Sequence, residues 1–297
     1  MLLVTGATGN VGRAVLAELA NHPVSVRAFV RDPNRLDLPA NAAAKIEVLS
    51  GDILDDLSLK RAFEGIEAAF IATAFSPRMA EMHQRCALAA KAAGVKRIVQ
   101  LSGLGANSKM CCARGLQWLG QAENFVQETG IPATYLRPTF YMQNLFRFAP
   151  SIAEQGVIAG PFRSSKWTFI DARDVGAVGG FALLDDRHVG RTYVLTGSEE
   201  LTYQEVAERM TKVLGKTIRY QDITANEARG RLQAAGASPV MIEATLELWD
   251  ACASKLINVA PTTAVKDITG REPRLFDDFV REHKQTFLGE RRLLQTA

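Results

Sequence analysis

Three glycines, Gly6, Gly9 and Gly12, stand three residues apart between a short apolar run, LLVT, and a helix-like stretch, VGRAVLAELA. That spacing suits the binding of a pyrophosphate. A buried strand delivers the chain to a tight bend in which Gly6 takes dihedrals closed to other residues, Gly9 lets an anion approach the main chain, and Gly12 lets helix and strand pack closely. The free N–H groups at the helix start, with its partial positive charge, then hold the anion. Thr8, Asn10 and Val11 fill the same turn and belong to the expected site. The pattern is G-x-x-G-x-x-G, and its strength lies in its place after a strand, at the start of a helix and at the head of a βαβ unit. A glycine-rich turn without a ligand is the alternative.

A site for NAD carries a carboxylate at the end of the second strand, where it accepts hydrogen bonds from the ribose hydroxyls. Here that strand, VSVRAFV, runs into Arg31. A guanidinium offers a planar fork of donors that suits a 2′-phosphate, which a carboxylate would repel. NADP(H) is therefore the expected cofactor, with Arg35 and Arg13 adding charge around the same phosphate. Asp32, one residue on, keeps NAD(H) as the alternative, since a small backbone shift presents it to the ribose.

These residues need elements that bring them together. Apolar runs at LLVT, VSVRAFV, KIEVLS, AAFIATA, KRIVQLS and ATYLRP alternate with helical patterns, clearest in VGRAVLAELA, MHQRCALAAKAAG and LQWLGQAENFVQETG. The expected fold is α/β, a Rossmann-type doubly wound parallel sheet over residues 1–150, completed by a strand near 192–197 in TYVLTG. Ligands of such sheets bind beyond the carboxyl ends of the strands. This singles out Asp52 and Ile53, Ala72 and Thr73, Ser102 and Gly103, and Arg137 to Tyr141 with Thr139 among them. From residue 198 the pattern turns mostly helical, with Ser198 or Thr202 capping LTYQEVAERMTKVLG and KTIRYQDI as a short strand. Residues 198–286 are expected to form a small lobe over the cleft, and 287–297 a tail without an element signal.

Composition narrows the class of function. The 297 residues are 47% hydrophobic and 23% charged, enough for one large core and a smaller lobe. The 35 basic and 32 acidic residues are interspersed, which points away from nucleic acid and from polybasic membrane surfaces. The phosphate-binding strand begins at residue 2 and no apolar run approaches a bilayer span, so a cytoplasmic protein is expected. Cys86, Cys111, Cys112 and Cys252 follow no metal-ligand spacing, and no metal is expected. The adjacent Cys111 and Cys112 read as reduced thiols in a loop.

Taken in order, TGATGNVG, RDPNR, LSGDILD around Asp52, AAGVKRIVQLSGLGA with Ser102, LRPTFYMQN ending at Asn144, and FIDARDVG with Asp171 and Asp174 resemble the NmrA-like branch of the atypical short-chain dehydrogenase/reductases. The resemblance covers nearly the whole chain. It continues through TGSEELTYQEVAERMTKVLGKTIRYQDI, EARGRLQAAG and DITGREP, and the branch includes type 2 quinone oxidoreductases and azoreductase-like members. It implies an NADP-binding Rossmann domain with a small helical lobe that forms the substrate pocket. It does not imply a single activity. Some relatives reduce quinones or azo compounds with NAD(P)H, and others sense the nicotinamide redox state and bind regulatory proteins without turnover.

Short-chain dehydrogenases that act on alcohols pass a proton through a tyrosine with a lysine four residues later. Four residues after Tyr135, Tyr141, Tyr193, Tyr203 and Tyr220 stand Thr139, Leu145, Gly197, Ala207 and Thr224. Leu119 occupies the helix position where many NmrA-like proteins carry His or Lys. Ser102 stands where the superfamily places its active-site serine, and its hydroxyl can donate to a substrate oxygen or cap local backbone. Hydride addition to a quinone gives a stabilised anion, so it asks for placement more than for a strong acid. Phe140, Tyr141, Met142 and Phe146 are expected to form an aromatic wall, with Trp167 joining from the next loop. Tyr141 and Asn144 are the expected polar contacts to an acceptor, and with Ser102 they make up the expected catalytic set. The alternative is that FYMQNLF is the core of a helix joining the lobes.

The expected activity is NAD(P)H-dependent transfer of hydride, with NADPH preferred, to a quinone, an azo compound or an activated carbonyl. A homodimer is the assembly to test. The competing expectation is a non-catalytic NADP(H) redox sensor that presents a surface to a protein partner.

Overall fold

Strands of a sheet covered on both faces are apolar without interruption, and successive side chains go to opposite cores. Leu2 and Val4 enter one core and Leu3 the other; Phe70 and Ile71 divide in the same way. The computed structural model describes residues 1–38, 42–109 and 112–290. Cys111 and residues 291–297 of the expected tail lie outside them.

The first half runs β1 (Leu2–Val4), α1 (Asn10–Leu19), β2 (Ser25–Val30), β3 (Lys45–Ser50), α2 (Asp56–Phe63), β4 (Ala68–Ile71), α3 (Met79–Ala92), β5 (Arg97–Leu101), α4 (Arg114–Glu128) and β6 (Ala133–Pro138). It continues through β7 (Phe140–Tyr141), a 3₁₀ helix over Met142–Phe148, α5 (Ala149–Gln155), β8 (Val157–Gly160), β9 (Trp167–Ile170), α6 (Ala172–Leu184) and β10 (Thr192–Leu195). The rest is β11 (Glu200–Leu201), α7 (Tyr203–Leu214), β12 (Arg219–Asp222), α8 (Ala225–Ala234), α9 (Pro239–Ala253), α10 (Ala264–Thr269), α11 (Phe276–Glu282) and α12 (Lys284–Phe287).

Seven of these strands form one parallel sheet in the order β10-β6-β5-β4-β1-β2-β3. The order reverses between β1 and β4, and this switch point opens the crevice in which doubly wound sheets take their ligands. The fold is the expected Rossmann-type α/β sheet, with the strand at 192–195 completing it beside β6. Helix α6 lies against α1 with almost no side chain between them. A Cβ on Gly176 would stand 2.2 Å from the Ala14 Cβ, and one on Gly180 2.8 Å from the Glu18 Cγ.

Beyond the sheet, β11, β9 and β7 pair in one small sheet and β12 with β8 in another. Thr202 caps α7 with a full capping box, accepting from the Glu205 N–H at 3.1 Å while Glu205 accepts from the Thr202 N–H at 2.7 Å. Here a third core gathers, in which the rings of Phe162 and Tyr203 stack at 3.7 Å. Among the described residues no helix is long and apolar enough to cross a membrane.

Candidate active site

The glycine turn joins β1 to α1 at the switch point. Gly6 has φ +60°, and a Cβ there would meet the Ala72 carbonyl oxygen at 2.7 Å, so two constraints demand glycine. Gly12 is held by packing alone, since its Cβ would stand 2.2 Å from the Gly6 oxygen. Gly9 differs from both. Its φ is −82° and its Cβ would meet only the Gly6 oxygen, at 3.3 Å, so what glycine leaves there is open space above the turn. Gly9 is also the N-cap of α1, with no side-chain cap and no acidic residue in the first turn, which leaves the helix-start N–H groups for an anion. Thr5 ties the turn to the neighbouring strand end, donating to the Ala72 oxygen and accepting from the Ala72 N–H, each at 2.9 Å.

Past the end of β2, the Arg31 side chain is exposed and makes no hydrogen bond or ion pair among the described residues. The Asp32 carboxylate is engaged, accepting from the Asn34 N–H at 3.0 Å to cap its own turn. Arg13 donates to the Arg35 carbonyl at 2.7 Å, while its buried Nε lacks a partner. A free guanidinium, a second one with an orphaned donor and an occupied carboxylate fit a phosphorylated ribose better than a bare one.

Across the strand ends lies a cavity of about 590 Å³. Thr73, Ser102 and Thr139 line its sheet side, Phe140, Tyr141 and Asn144 its wall, and Tyr203 with the α9 residues Met241, Thr245, Leu248 and Trp249 its lobe side. Thr73 Oγ1 is buried and unpartnered. Asp52 and Ile53 stay outside this lining: the carboxylate accepts from the Leu54 N–H at 2.9 Å and Ile53 packs against a core. Ala72 and Arg137, two other strand-end residues, are also absent from it.

The wall corrects one expectation. A 3₁₀ helix has three residues per turn, so its side chains fall on three faces, each repeating every third residue. Tyr141, Asn144 and Arg147 share a face that lines the cavity, joined by Phe148 at the end of the helix. Met142 and Leu145 occupy a second face, in the core. Gln143 and Phe146 take the third: Gln143 donates to Asp171 at 2.9 Å and accepts from the Ala172 N–H at 3.0 Å, and Phe146 packs on Phe279 and Phe287 at 5.4 and 5.5 Å. Met142 and Phe146 are therefore not part of the aromatic wall, whereas Trp167 is, its ring 4.4 Å from that of Phe140.

Neither the Tyr141 hydroxyl nor the Asn144 amide has a hydrogen-bond partner among the described residues. Burial pushes the Tyr141 pKa up, so the group is a neutral donor at physiological pH. Ser102 is differently placed. Its hydroxyl donates to Glu123 at 2.5 Å, and Glu123, wholly buried, also accepts from Asn107 at 3.1 Å and from Arg137 at 2.8 Å. The hydrogen bond from Arg137 to Glu123 raises the arginine pKa. In this arrangement the Ser102 proton goes to the carboxylate beneath the cavity floor, and Ser102 offers the cavity an acceptor lone pair. Residues 119 and 123 of α4 are thus an apolar lining residue and a buried structural carboxylate.

A parallel sheet with an uncapped glycine turn at its switch point and a cavity across its strand ends defines a Rossmann-type α/β protein. The NmrA-like family model matches residues 1–251, and the chain belongs to that family. It is 33% identical over 289 residues to an NAD(P)H azoreductase of Xenophilus azovorans, spanning 97% of this chain and 99% of that one. A (4-alkanoyl-5-oxo-2,5-dihydrofuran-3-yl)methyl phosphate reductase of Streptomyces griseus is 34% identical over 291 residues, spanning 98% and 100%. Among solved structures, the NADPH complex of an NADPH-dependent quinone oxidoreductase of Escherichia coli matches with a TM-score of 0.84 at 26% identity, covering 95% of this chain and 99% of that one.

Proposed function

We propose that this protein is an NAD(P)H-dependent reductase that transfers hydride from NADPH to an electrophilic conjugated acceptor, a quinone or an azo compound. The observation that carries this reading is the adjacency of an uncapped phosphate turn and an aromatic cavity that meet at one end of the sheet. The names of the similar reductases support it. In this reading the turn from Gly6 to Gly12, with Thr8, Asn10 and Val11, holds the pyrophosphate. Arg31 takes the 2′-phosphate, Asp52 and Ile53 border the adenosine side, and Thr73 and Thr139 face the nicotinamide side. When bound, the cofactor supplies the hydride.

The chain's own residues do the placing. Phe140 and Trp167 present ring edges and faces to a planar acceptor. Tyr141, held neutral by burial, donates a hydrogen bond to an acceptor oxygen or nitrogen, and the Asn144 amide supplies a second polar contact. Ser102 borders the same floor as an acceptor. No Tyr-x-x-x-Lys pair takes part, and a quinone reduced by hydride leaves as an anion that solvent can protonate. Residues 1–150 with the strand near 192–197 serve the cofactor, and 198–286 close over the acceptor. The protein acts on small molecules, not on nucleic acid, in the cytoplasm, and a homodimer is its proposed assembly.

The test is NADPH oxidation followed at 340 nm with a panel of quinones and azo dyes. Turnover is expected. Tight NADPH binding with no turnover of any acceptor would refute the reductase reading in favour of a redox sensor.

A further inference from the structure

Among the described residues, the cavity described above is lined by uncharged side chains with one exception. Arg147, alone among the described residues of its lining, carries a formal charge. No hydrogen bond or ion pair holds this guanidinium among the described residues, whereas most other arginines of the chain have a carboxylate or a carbonyl. Its one specific contact is with an aromatic face: its Cζ lies 5.4 Å from the centre of the Trp249 ring on α9. Arg147 is an exposed residue, yet desolvation lowers its pKa, with the Tyr203 hydroxyl opposing the shift. The two facts agree if part of the surface it exposes opens into the cavity it lines. An unpaired cation in partly dehydrated surroundings is unfavourable unless something else compensates it.

We infer that Arg147 is the recognition group for an acidic substituent on the acceptor, a carboxylate, sulfonate or phosphate held away from the reacting atoms. The inference rests on the reductase reading and narrows its substrate class. Position supports the remoteness. Arg147 follows Tyr141 and Asn144 on one face of the 3₁₀ helix, and at about 2 Å per residue its Cα stands about 12 Å beyond that of Tyr141. Its contact with Trp249 places it on the lobe side, opposite the strand ends where Thr73, Ser102 and Thr139 lie. An acceptor of the right kind lays its conjugated centre beside Tyr141 and extends an anion toward α9. Among the described residues no carboxylate lines the cavity to compete for the guanidinium.

The experiment compares a 1,4-benzoquinone carrying a flexible carboxyalkyl chain with the methyl ester of the same compound. Their quinone rings have the same electron demand, so a difference in kcat/KM reports recognition of the charge. One charge-assisted hydrogen bond in such a site corresponds to roughly 10- to 150-fold. The acid is expected to be preferred over the ester by about that factor, mostly in KM. Arg147→Met should collapse the preference to near unity, and Arg147→Lys should restore part of it. A wild-type protein that does not distinguish acid from ester overturns the inference, as does an Arg147→Met variant that keeps the preference. So does a variant that loses NADPH affinity by the same factor, since Arg147 would then serve the cofactor. A separate readout needs neither turnover nor a variant. The dimethyl ether of the corresponding hydroquinone acid cannot be reduced, and calorimetry should show it binding the NADP⁺ complex at least tenfold more tightly than its ester. That binding without turnover of any acceptor would leave the anion site standing while the reductase reading falls; turnover without discrimination would do the reverse.

Discussion

Gly9 and Gly12 belong to one motif, yet the structure assigns them different tasks, and substitution should separate these. Glycine at 12 is demanded by the fold: a Cβ there would stand 2.2 Å from the Gly6 oxygen, 2.7 Å from its carbonyl carbon and 2.9 Å from the Ala7 Cα. All three are backbone atoms that cannot swing aside. Overpacking of this kind costs about 1–3 kcal/mol, which for a chain of this size lowers Tm by roughly 2–4 °C per kcal/mol. Gly12→Ala should therefore melt several degrees below the wild type.

At Gly9 the backbone is already extended, at φ −82° and ψ 169°, a region open to β-branched residues, and the one contact is the Gly6 oxygen at 3.3 Å. Gly9→Val should keep Tm within about 2 °C, because replacing glycine at a compatible backbone restricts the unfolded chain and offsets the mild crowding. Its isopropyl group would fill the space through which the pyrophosphate reaches the helix-start N–H groups. Losing one or two charge-assisted hydrogen bonds, each about 1.5–3 kcal/mol, weakens NADPH by at least tenfold. Calorimetric melting and a titration of NADPH fluorescence measure the two quantities independently. A Gly9→Val protein that melts normally and binds NADPH like the wild type would refute the reading of this turn.

Arg31→Ala should weaken NADPH by about 1.5–3 kcal/mol and leave NADH nearly unchanged; equal losses in the two titrations would remove the 2′-phosphate from Arg31. Tyr141→Phe keeps the ring and should lower kcat only modestly, whereas Tyr141→Ala opens the wall and should raise the acceptor KM sharply. A fall of roughly 10²–10⁴-fold in kcat for Tyr141→Phe would instead reveal a catalytic acid. His83 is fully buried, and burial pushes its pKa down to about 4, with Gln100 3.0 Å from its Nδ1. The unfolded chain binds the proton near pH 6.5 and the folded one does not, so stability is present above 6.5 and falls as pH drops toward 4, by about 3 kcal/mol in all. In urea titrations His83→Gln should flatten that slope; an unchanged slope would show that His83 is not its source.

The parallel sheet was legible because its strands are short, largely apolar runs bounded by glycines and helical periods, with the central β1 and β4 wholly buried. Past Pro150 the strands β8 and β9 escaped notice, since four-residue strands in small sheets carry little local signal and are defined by distant partners, β12 and β11. The aromatic segment misled for a different reason. FYMQNLF suggests a wall by its aromatic composition and not by its spacing: five residues on from Tyr141, Phe146 is turned well away from it at either helical period, and it packs on Phe279 instead. Arg147 and Glu123 were invisible because what makes each notable is long-range: the ring of Trp249 in one case, Ser102 and Arg137 in the other. The α9 lining, by contrast, was present in the sequence. Met241, Thr245, Leu248 and Cys252 recur at three- and four-residue steps, which marks one helix face but not what it faces.

The near-contact of α1 and α6 bears on how this chain can diverge. Gly176, Gly179 and Gly180 meet Ala14, Val15 and Glu18 with no slack, across an interface joining residues more than 150 positions apart. A larger residue on either helix has nowhere to go unless its counterpart shrinks, so drift at these sites is concerted: one lineage cannot borrow the first helix of another without its sixth. Recombination between relatives therefore has to carry both segments across the same crossover, or none. The glycine turn at the head of α1 is thus inherited together with α6.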